Sequence, residues 1–254
     1  HYPLRRQRQM CIRDRYYSVS RDPDDKCLET SSLYLYLLNL IGKDDQRLRD
    51  FILESQKSDG GFYNQDPAIP EELRRFPSLT GFALVGLSSK IPHSDERIQL
   101  AFDYLGQTQN ERGDWGSNMY YYGTSYYAIW IISRALMLFN RTNSEIAQRV
   151  LNYLGKNQSQ DGYFTDDSRY YPLSDELKTA LALHSLLLLT GNDNPSLKIG
   201  LDWLLDRQLS SGNWPGGTFY GGSADVFATS SALWMLSEYL QNNTSKMRGG
   251  SRIT

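Results

Sequence analysis

The chain has 254 residues, with 27 Lys+Arg against 29 Asp+Glu, 40% hydrophobic and 13% aromatic residues. That length can bury a substantial core in one large domain or two small ones, and a net charge of −2 gives no basic footprint for nucleic acid. No run approaches the roughly 18 to 20 apolar residues that span a membrane, and two cysteines do not make a disulfide framework.

Residues 1–15 carry Arg5, Arg6, Arg8, Arg13 and Arg15, show no helical or strand period, and resemble translated sequencing-adapter sequence. No apolar segment follows the arginines, which disfavours a secretory signal. These residues are expected to be a non-native or disordered tail. Without them the charge balance is 22 basic against 28 acidic residues, and Cys27 is the remaining cysteine. Next comes the acidic group Asp22-Pro23-Asp24-Asp25, followed by Lys26 and Cys27. Read locally, it suits a helix N-terminus, where capping and the macrodipole favour carboxylates.

A repeat organises the rest. Gln-x-x-x-Gly-x-aromatic occurs at Gln56/Gly60/Phe62, Gln109/Gly113/Trp115, Gln158/Gly162/Phe164 and Gln208/Gly212/Trp214. An aliphatic residue stands four before each Gln: Ile52, Leu105, Leu154 and Leu204. A second mark recurs between the copies, a threonine expected to open each apolar helix: Thr30, Thr80, Thr124, Thr179 and Thr229. Segments 31–40, 81–87 and 180–189 are apolar nearly all round, as buried helices are. Segments 45–55, 95–105 and 143–154 are amphipathic with charged outer faces. The unit is thus a hairpin of one inner and one outer helix closed by a Gly-bearing turn. No alternating strand pattern occurs. The expected fold is all-α, an α/α toroid over residues 16–241, with a disordered tail at 242–254. An open solenoid is the competing arrangement, but solenoid repeats are shorter and lack this turn.

The four copies resemble the QW repeats of squalene–hopene and oxidosqualene cyclases and of protein prenyltransferase β subunits. The resemblance covers roughly residues 16–240, and the stretch from Gly212 to Tyr220 looks like the last repeat of triterpene cyclases. It implies that the Gln, Gly and aromatic residues are structural, bracing each turn against the next helix. A toroid of that family has six inner and six outer helices, whereas five and four are readable here. The resemblance therefore implies an absent N-terminal portion and a separate upstream helical domain. It also implies an isoprenoid or other apolar ligand, no cofactor, and a cytoplasmic or peripheral-membrane setting.

Three chemistries fit the motifs. Asp22-Pro23-Asp24-Asp25 matches the Asp-x-Asp-Asp motif of class II terpene cyclases, which protonate an alkene or epoxide. An alkene is a weak base, so the donor must be a neutral acid held among other carboxylates, whose charges raise its pKa. By resemblance Asp24 is the proton donor and Asp22 and Asp25 support it. Cavity-facing aromatics would be Tyr34, Tyr36, Phe82, Tyr126, Tyr127, Trp130 and Trp234, whose π faces stabilise cations. The family continues Thr-Ala after its last Asp, whereas Lys26-Cys27 follow here; aligning Thr30 with the other threonines puts Leu28 and Glu29 where the aspartates belong. The second chemistry is the prenyltransferase zinc site. Asp25-Lys26-Cys27 offers its first half, but Leu79 stands where the ligand His should be, leaving too few ligands. His93 and His184 read as structural histidines, so no metal is expected. The third is a carboxylate pair among Asp166, Asp167, Asp175, Glu176 and Asp225, as glycoside hydrolases use; a solvated turn is the alternative reading of these residues. Phosphate-cradle, Gly-x-Ser-x-Gly and His-Glu-x-x-His motifs are absent from the sequence. A toroid that binds an apolar ligand without turnover stands as the non-catalytic alternative.

Overall fold

The computed structural model describes residues 27–65, 71–116, 123–166, 173–216 and 225–249. In chain order the described helices are α1 Leu28–Leu40, α2 Gln46–Glu54, α3 Glu71–Arg74, α4 Pro77–Leu87, α5 Glu96–Thr108, α6 Ser125–Leu138, α7 Glu145–Asn157, α8 Asp175–Thr190, α9 Pro195–Asp206 and α10 Val226–Gly249. Among the described residues the extended pairings are two isolated bridges, Gln56 with Phe62 and Gln158 with Phe164. The all-α expectation holds, with α1, α4, α6, α8 and α10 as inner helices and α2, α5, α7 and α9 as outer ones. The chain divides into two compact units, His1–Gln109 and Asn110–Thr254.

Burial follows composition. In α4 every residue from Ser78 to Leu87 is buried, and in α8 every residue from Leu177 to Leu189. Outer helices bury a stripe only: Leu48, Phe51 and Ile52 in α2, and Ala147, Val150, Tyr153 and Leu154 in α7. These spacings of three and four put the apolar side chains on one helix face. Each outer helix starts on a polar N-cap. Asp45, Asp95, Ser144 and Asn194 accept hydrogen bonds from backbone N–H groups of the first turn, each stabilising by about 1 kcal/mol.

In the first unit α4 packs on α1 and α5. In the second, α8 is central and packs on α6, α7, α9 and α10. All four turns have one backbone plan. The residue after the Gln donates its N–H to the residue after the Gly, and the Gly N–H returns to the residue after the Gln, as in Ser159 N to Tyr163 O at 2.9 Å and Gly162 N to Ser159 O at 3.0 Å.

Three expectations need correction. Only Thr124 caps a helix, accepting the Tyr126 N–H; α1, α4, α8 and α10 begin before their threonines. Pro77 at the start of α4 and the Ser174 cap of α8 set those earlier starts. Three of the threonines serve the turns instead. Thr80, Thr179 and Thr229 accept the backbone N–H of Phe62, Phe164 and Trp214 at 2.9, 2.9 and 3.1 Å.

The second correction concerns Trp115, expected to brace its turn as the other three repeat aromatics do. Trp115 is buried as they are, but its threonine is committed elsewhere: the Thr124 hydroxyl accepts the Tyr126 N–H and donates to Asp166. The cause is spacing. Thr80, Thr179 and Thr229 stand 18, 15 and 15 residues after their aromatic partners, far enough to lie inside the next helix. Thr124 follows Trp115 by only nine and lies at the helix end, where its hydroxyl meets the first-turn N–H groups. Nor does Trp115 pair with Gln109 in an extended bridge, as Phe62 and Phe164 do with their glutamines. The second repeat thus keeps the Gly turn and the buried aromatic residue without the threonine clamp.

Third, the C-terminal tail expected from residue 242 is helical to Gly249, because no proline interrupts residues 242–248 and Lys246, Met247 and Arg248 are good helix formers.

Candidate functional site

Asp22, Asp24 and Asp25 lie outside the described residues, as does Asp167. Cys27, the first described residue, is buried and accepts a hydrogen bond at Sγ from the Thr30 hydroxyl at 3.3 Å. Leu79, at the position the prenyltransferase site needs a histidine, is wholly buried in α4. Among the described residues no three His, Cys, Asp or Glu side chains group as a metal site.

The inner-helix aromatics separate by face. Tyr36 and Phe82 are buried and Tyr34 is half-buried, all in the first unit. In the second unit Tyr127, Trp130 and Trp234 come together. Trp130 and Trp234 meet edge to face at 5.5 Å between centroids, and Tyr127 lies 5.9 Å from Trp130. Phe227, which no motif marks, joins at 6.1 Å from Tyr127. Tyr126 is elsewhere, because a neighbouring residue on a helix points about 100° away. Its ring packs on Phe164 at 5.8 Å and Tyr153 at 6.1 Å, and its hydroxyl donates to the Thr165 carbonyl at 3.0 Å. Tyr126 therefore fills the seam beneath the third turn. Burial and the neighbouring Tyr153 raise its pKa, so it stays a neutral donor.

Next to the aromatic cluster lies a polar network that the sequence motifs do not assemble. Arg134 on α6, His184 on α8 and Glu238 on α10 converge, with Arg134 and His184 almost wholly buried. Trp130 Nε1–H donates to His184 Nδ1 at 3.1 Å. A neutral imidazole that accepts at Nδ1 carries its proton on Nε2, and that nitrogen stands 3.0 Å from Glu238 Oε2 as its acceptor. Arg134 Nη2 donates to Glu238 Oε1 at 2.9 Å. Arg134 also lies 2.8 Å from His184 Nε2, but a guanidinium only donates, so this is a charge-to-dipole contact rather than a bond. The guanidinium sits 4.4 Å above the Trp234 ring, whose Nε1–H donates to Glu238 Oε1 at 2.6 Å.

The electrostatics agree with this assignment. Burial lowers the His184 pKa most, and the Arg134 charge lowers it further against the pull of Glu238. His184 is thus held neutral. Burial alone would raise Glu238, but its hydrogen bond from His184 and the Arg134 charge prevail and bring it to about 2. Glu238 stays ionised and neutralises Arg134. The network is an internally satisfied ion pair bridged by a neutral histidine. A periodic signal marks it: Arg134 and His184 are 50 residues apart and His184 and Glu238 are 54. That is the spacing of the repeat itself, so equivalent positions on three successive inner helices carry polar groups.

The other carboxylates are structural. Asp166 Oδ2 accepts from the Thr124 hydroxyl at 2.6 Å and the Ser125 N–H at 3.0 Å, closing the N-terminus of α6. Lys178 stands 3.4 Å from Asp166 and 3.5 Å from Asp175. Asp225 accepts the Phe227 N–H at the start of α10. Glu176 is the exception in its electrostatics: burial raises its pKa. No described pair of these carboxylates faces another across a groove in the manner glycoside hydrolysis needs.

Comparison with known proteins adds family context. No family model matches the chain. It is 28% identical over 134 residues to squalene–hopene cyclase of Zymomonas mobilis, a match spanning 48% of this chain and 19% of that protein. Its fold is similar to that of ent-copalyl diphosphate synthase from Streptomyces platensis, with a TM-score of 0.64 and 17% identity over 93% of this chain and 45% of the other. It is also similar to type II terpene cyclase MstE from Scytonema, at a TM-score of 0.60 and 16% identity over 85% of this chain and 74% of that one. A variant of MstE, matched at a TM-score of 0.53 and 20% identity over 74% of this chain and 56% of the other, is in complex with its substrate geranylgeranyl dihydroxybenzoate. The helical-hairpin architecture, the expected α/α-toroid class and this weak but significant sequence likeness together support a terpenoid cyclase-like superfamily for this chain.

Proposed function

We propose that this protein acts as a class II, proton-initiated cyclase on an isoprenoid substrate, with Asp24 as the acid. The observation that carries the reading is Asp22-Pro23-Asp24-Asp25, standing just ahead of the first inner helix in a chain with the fold of type II terpene cyclases. The Asp24 O–H would give its proton to one carbon of an alkene or to an epoxide oxygen. Asp22 and Asp25 keep that acid protonated until it reacts, since neighbouring carboxylates raise one another's pKa. The cation formed then draws electrons from successive double bonds, each closing a ring, until a proton is lost. Tyr127, Trp130 and Phe227 offer π faces for such cations, each worth roughly 0.5 to 2 kcal/mol. Leu181 and Leu188, buried on α8 beside the same cluster, are inert to a carbocation and keep water away.

One observation favours a second reading, a non-catalytic protein that binds an isoprenoid. The Trp234 face already holds the Arg134 guanidinium, a permanent cation where a transient one would otherwise lie. Incubating the chain and its Asp24→Asn variant with squalene and with C15–C20 prenyl diphosphates separates the two. Cyclised product from the parent, reduced at least about a hundredfold by Asp24→Asn, is the expected result for removal of an essential proton donor. Equal product from both removes Asp24 from the mechanism. Tryptophan quenching by the isoprenoid in both proteins, with product from neither, selects binding without turnover.

A further inference from the structure

Three of the four Gln-x-x-x-Gly-x-aromatic turns are seated on the outer helix that follows them, in one register. A Cβ on Gly60 would lie 2.2 Å from the Leu100 carbonyl oxygen, one on Gly113 2.3 Å from that of Arg149, and one on Gly162 2.6 Å from that of Ile199. Each of these residues is the fifth after its helix N-cap, Asp95, Ser144 or Asn194. In the first and third turns the Gln amide also donates to the second residue after the N-cap, to Arg97 O at 2.8 Å and Ser196 O at 2.9 Å.

The fourth turn has the same build and an empty seat. Gly212 has a φ of 84°, its N–H donates to Leu209 O at 2.8 Å, and Gln208 Nε2 donates to Gly212 O at 2.8 Å. Yet nothing lies within 4 Å of a Cβ on Gly212, and both Gly212 and Gln208 are exposed. On the following helix, α10, Val226, Leu233 and Leu240 are 84%, 52% and 60% exposed. Their seven-residue spacing aligns them on one side of the helix, with Ser230 and Ser237 between. Single exposed leucines are ordinary, but an aligned apolar stripe marks an interaction face.

The matching half is at the other end of the chain. Helix α2 is the one described outer helix that no such turn precedes in the sequence. Its N-cap Asp45 puts Arg47 and Asp50 at the second and fifth positions, the ones whose carbonyls the other turns hold. Its hairpin partner α1 exposes Leu37 and Leu40 at 56% and 64%, with half-buried Leu33 completing the helical spacing of four and three.

We infer that the α1–α2 hairpin of a second copy docks head to tail on the fourth turn and α10. The second copy's α2 sets its Asp50 carbonyl against Gly212 and offers its Arg47 carbonyl to Gln208. The α1 stripe of Leu33, Leu37 and Leu40 covers Val226, Leu233 and Leu240. The two faces differ, so the contact is heterologous and each added copy presents a fresh seat.

Light scattering during gel filtration tests this with the full chain. The parent is expected to rise above the 29.2 kDa monomer as concentration increases. Leu37→Glu and Leu233→Glu, both at exposed positions, should each stay monomeric with an unchanged far-UV spectrum. Mixed one to one, they should form a heterodimer and go no further, because only the intact α1 face of one meets the intact α10 face of the other. A parent that is monomeric at every concentration overturns the inference and leaves the seat to some other helix. So does Leu37→Glu assembling like the parent, or a mixture that stays monomeric, since a symmetric contact needs no such pairing.

Discussion

At residues 158–164 and 208–214 the chain builds one turn twice, and the two copies carry different loads. Phe164 and Trp214 are both buried to about the same extent, and both have their backbone N–H held by a threonine one turn into the next inner helix. Only the third turn has a helix on its glycine: the Ile199 carbonyl lies against Gly162, while Gly212 faces open space. Trp214 uses its extra ring atom to reach back, donating Nε1–H to the Leu204 carbonyl at 2.7 Å. The turn thus separates into a clamp, formed with its own hairpin and the helix that follows, and a seat that needs a neighbour. The sequence motif specifies both, but occupancy of the seat is a matter of what stands beside it.

Paired substitutions can break this distinction. The largest effect is expected at the seat. Gly162→Ala adds left-handed strain and drives a methyl into a helix carbonyl, costing about 3 to 4 kcal/mol. Gly212→Ala meets the strain alone, about 1 to 2 kcal/mol. Urea denaturation of dilute protein measures both, and equal losses would erase the difference between an occupied and an open seat. Thr179→Val and Thr229→Val come next. Each strands one backbone N–H, so each should lose about 1 to 3 kcal/mol, and a large inequality would show that the clamp is not shared.

Smaller still is the glutamine pair. Gln158→Ala removes bonds to both Gly162 O and Ser196 O, about 1 to 2 kcal/mol together. Gln208→Ala removes one exposed bond and should change dilute-protein stability by about 0.5 kcal/mol or less. The smallest expected effect is that of pH on these differences, because amide, hydroxyl and backbone groups do not titrate. The protein as a whole does respond to acid. His184 has a lowered folded pKa, so the unfolded state takes up protons first and stability declines as pH falls below about 6.5. Glu238, brought from 4.5 to about 2, contributes stability above about pH 4.5 that is lost as pH falls toward 2. Glu238→Gln should flatten that lower portion of the profile while leaving the gap between Gly162→Ala and Gly212→Ala unchanged from pH 7 to about 3. A gap that itself shifts with pH would tie the seat to an ionisable group.

Much of this organisation is legible along the chain. Gln56, Gln109, Gln158 and Gln208 recur with Gly and an aromatic residue because each hairpin must end in the same tight turn, and the apolar runs of α4 and α8 announce buried helices. The threonines are visible as a period, but their task is not. Nothing in sequence distinguishes a hydroxyl that caps its own helix from one that reaches a turn 15 or 18 residues earlier. Trp115 shows the cost: its motif matches the other three, while the shorter path to Thr124 gives that hydroxyl to the helix end instead. Tyr126 and Tyr127 are adjacent in sequence and look alike, yet they face different packing partners because each residue advances the helix by about 100°. Arg134, His184 and Glu238 share the repeat period, a mark that links them without any coordinates.

The sequence by itself determined the all-α hairpin plan, the four turns, and an acidic motif of the kind class II cyclases use. These are local properties, set by periodicity, turn chemistry and residue type at fixed spacing. Only the tertiary structure decided that His184 is a neutral bridge in a satisfied ion pair, that Tyr126 fills a seam rather than joining Trp130, and that one seat of four is open. Those outcomes depend on which faces of separate helices meet and how far water is excluded between them, and a linear spacing carries neither.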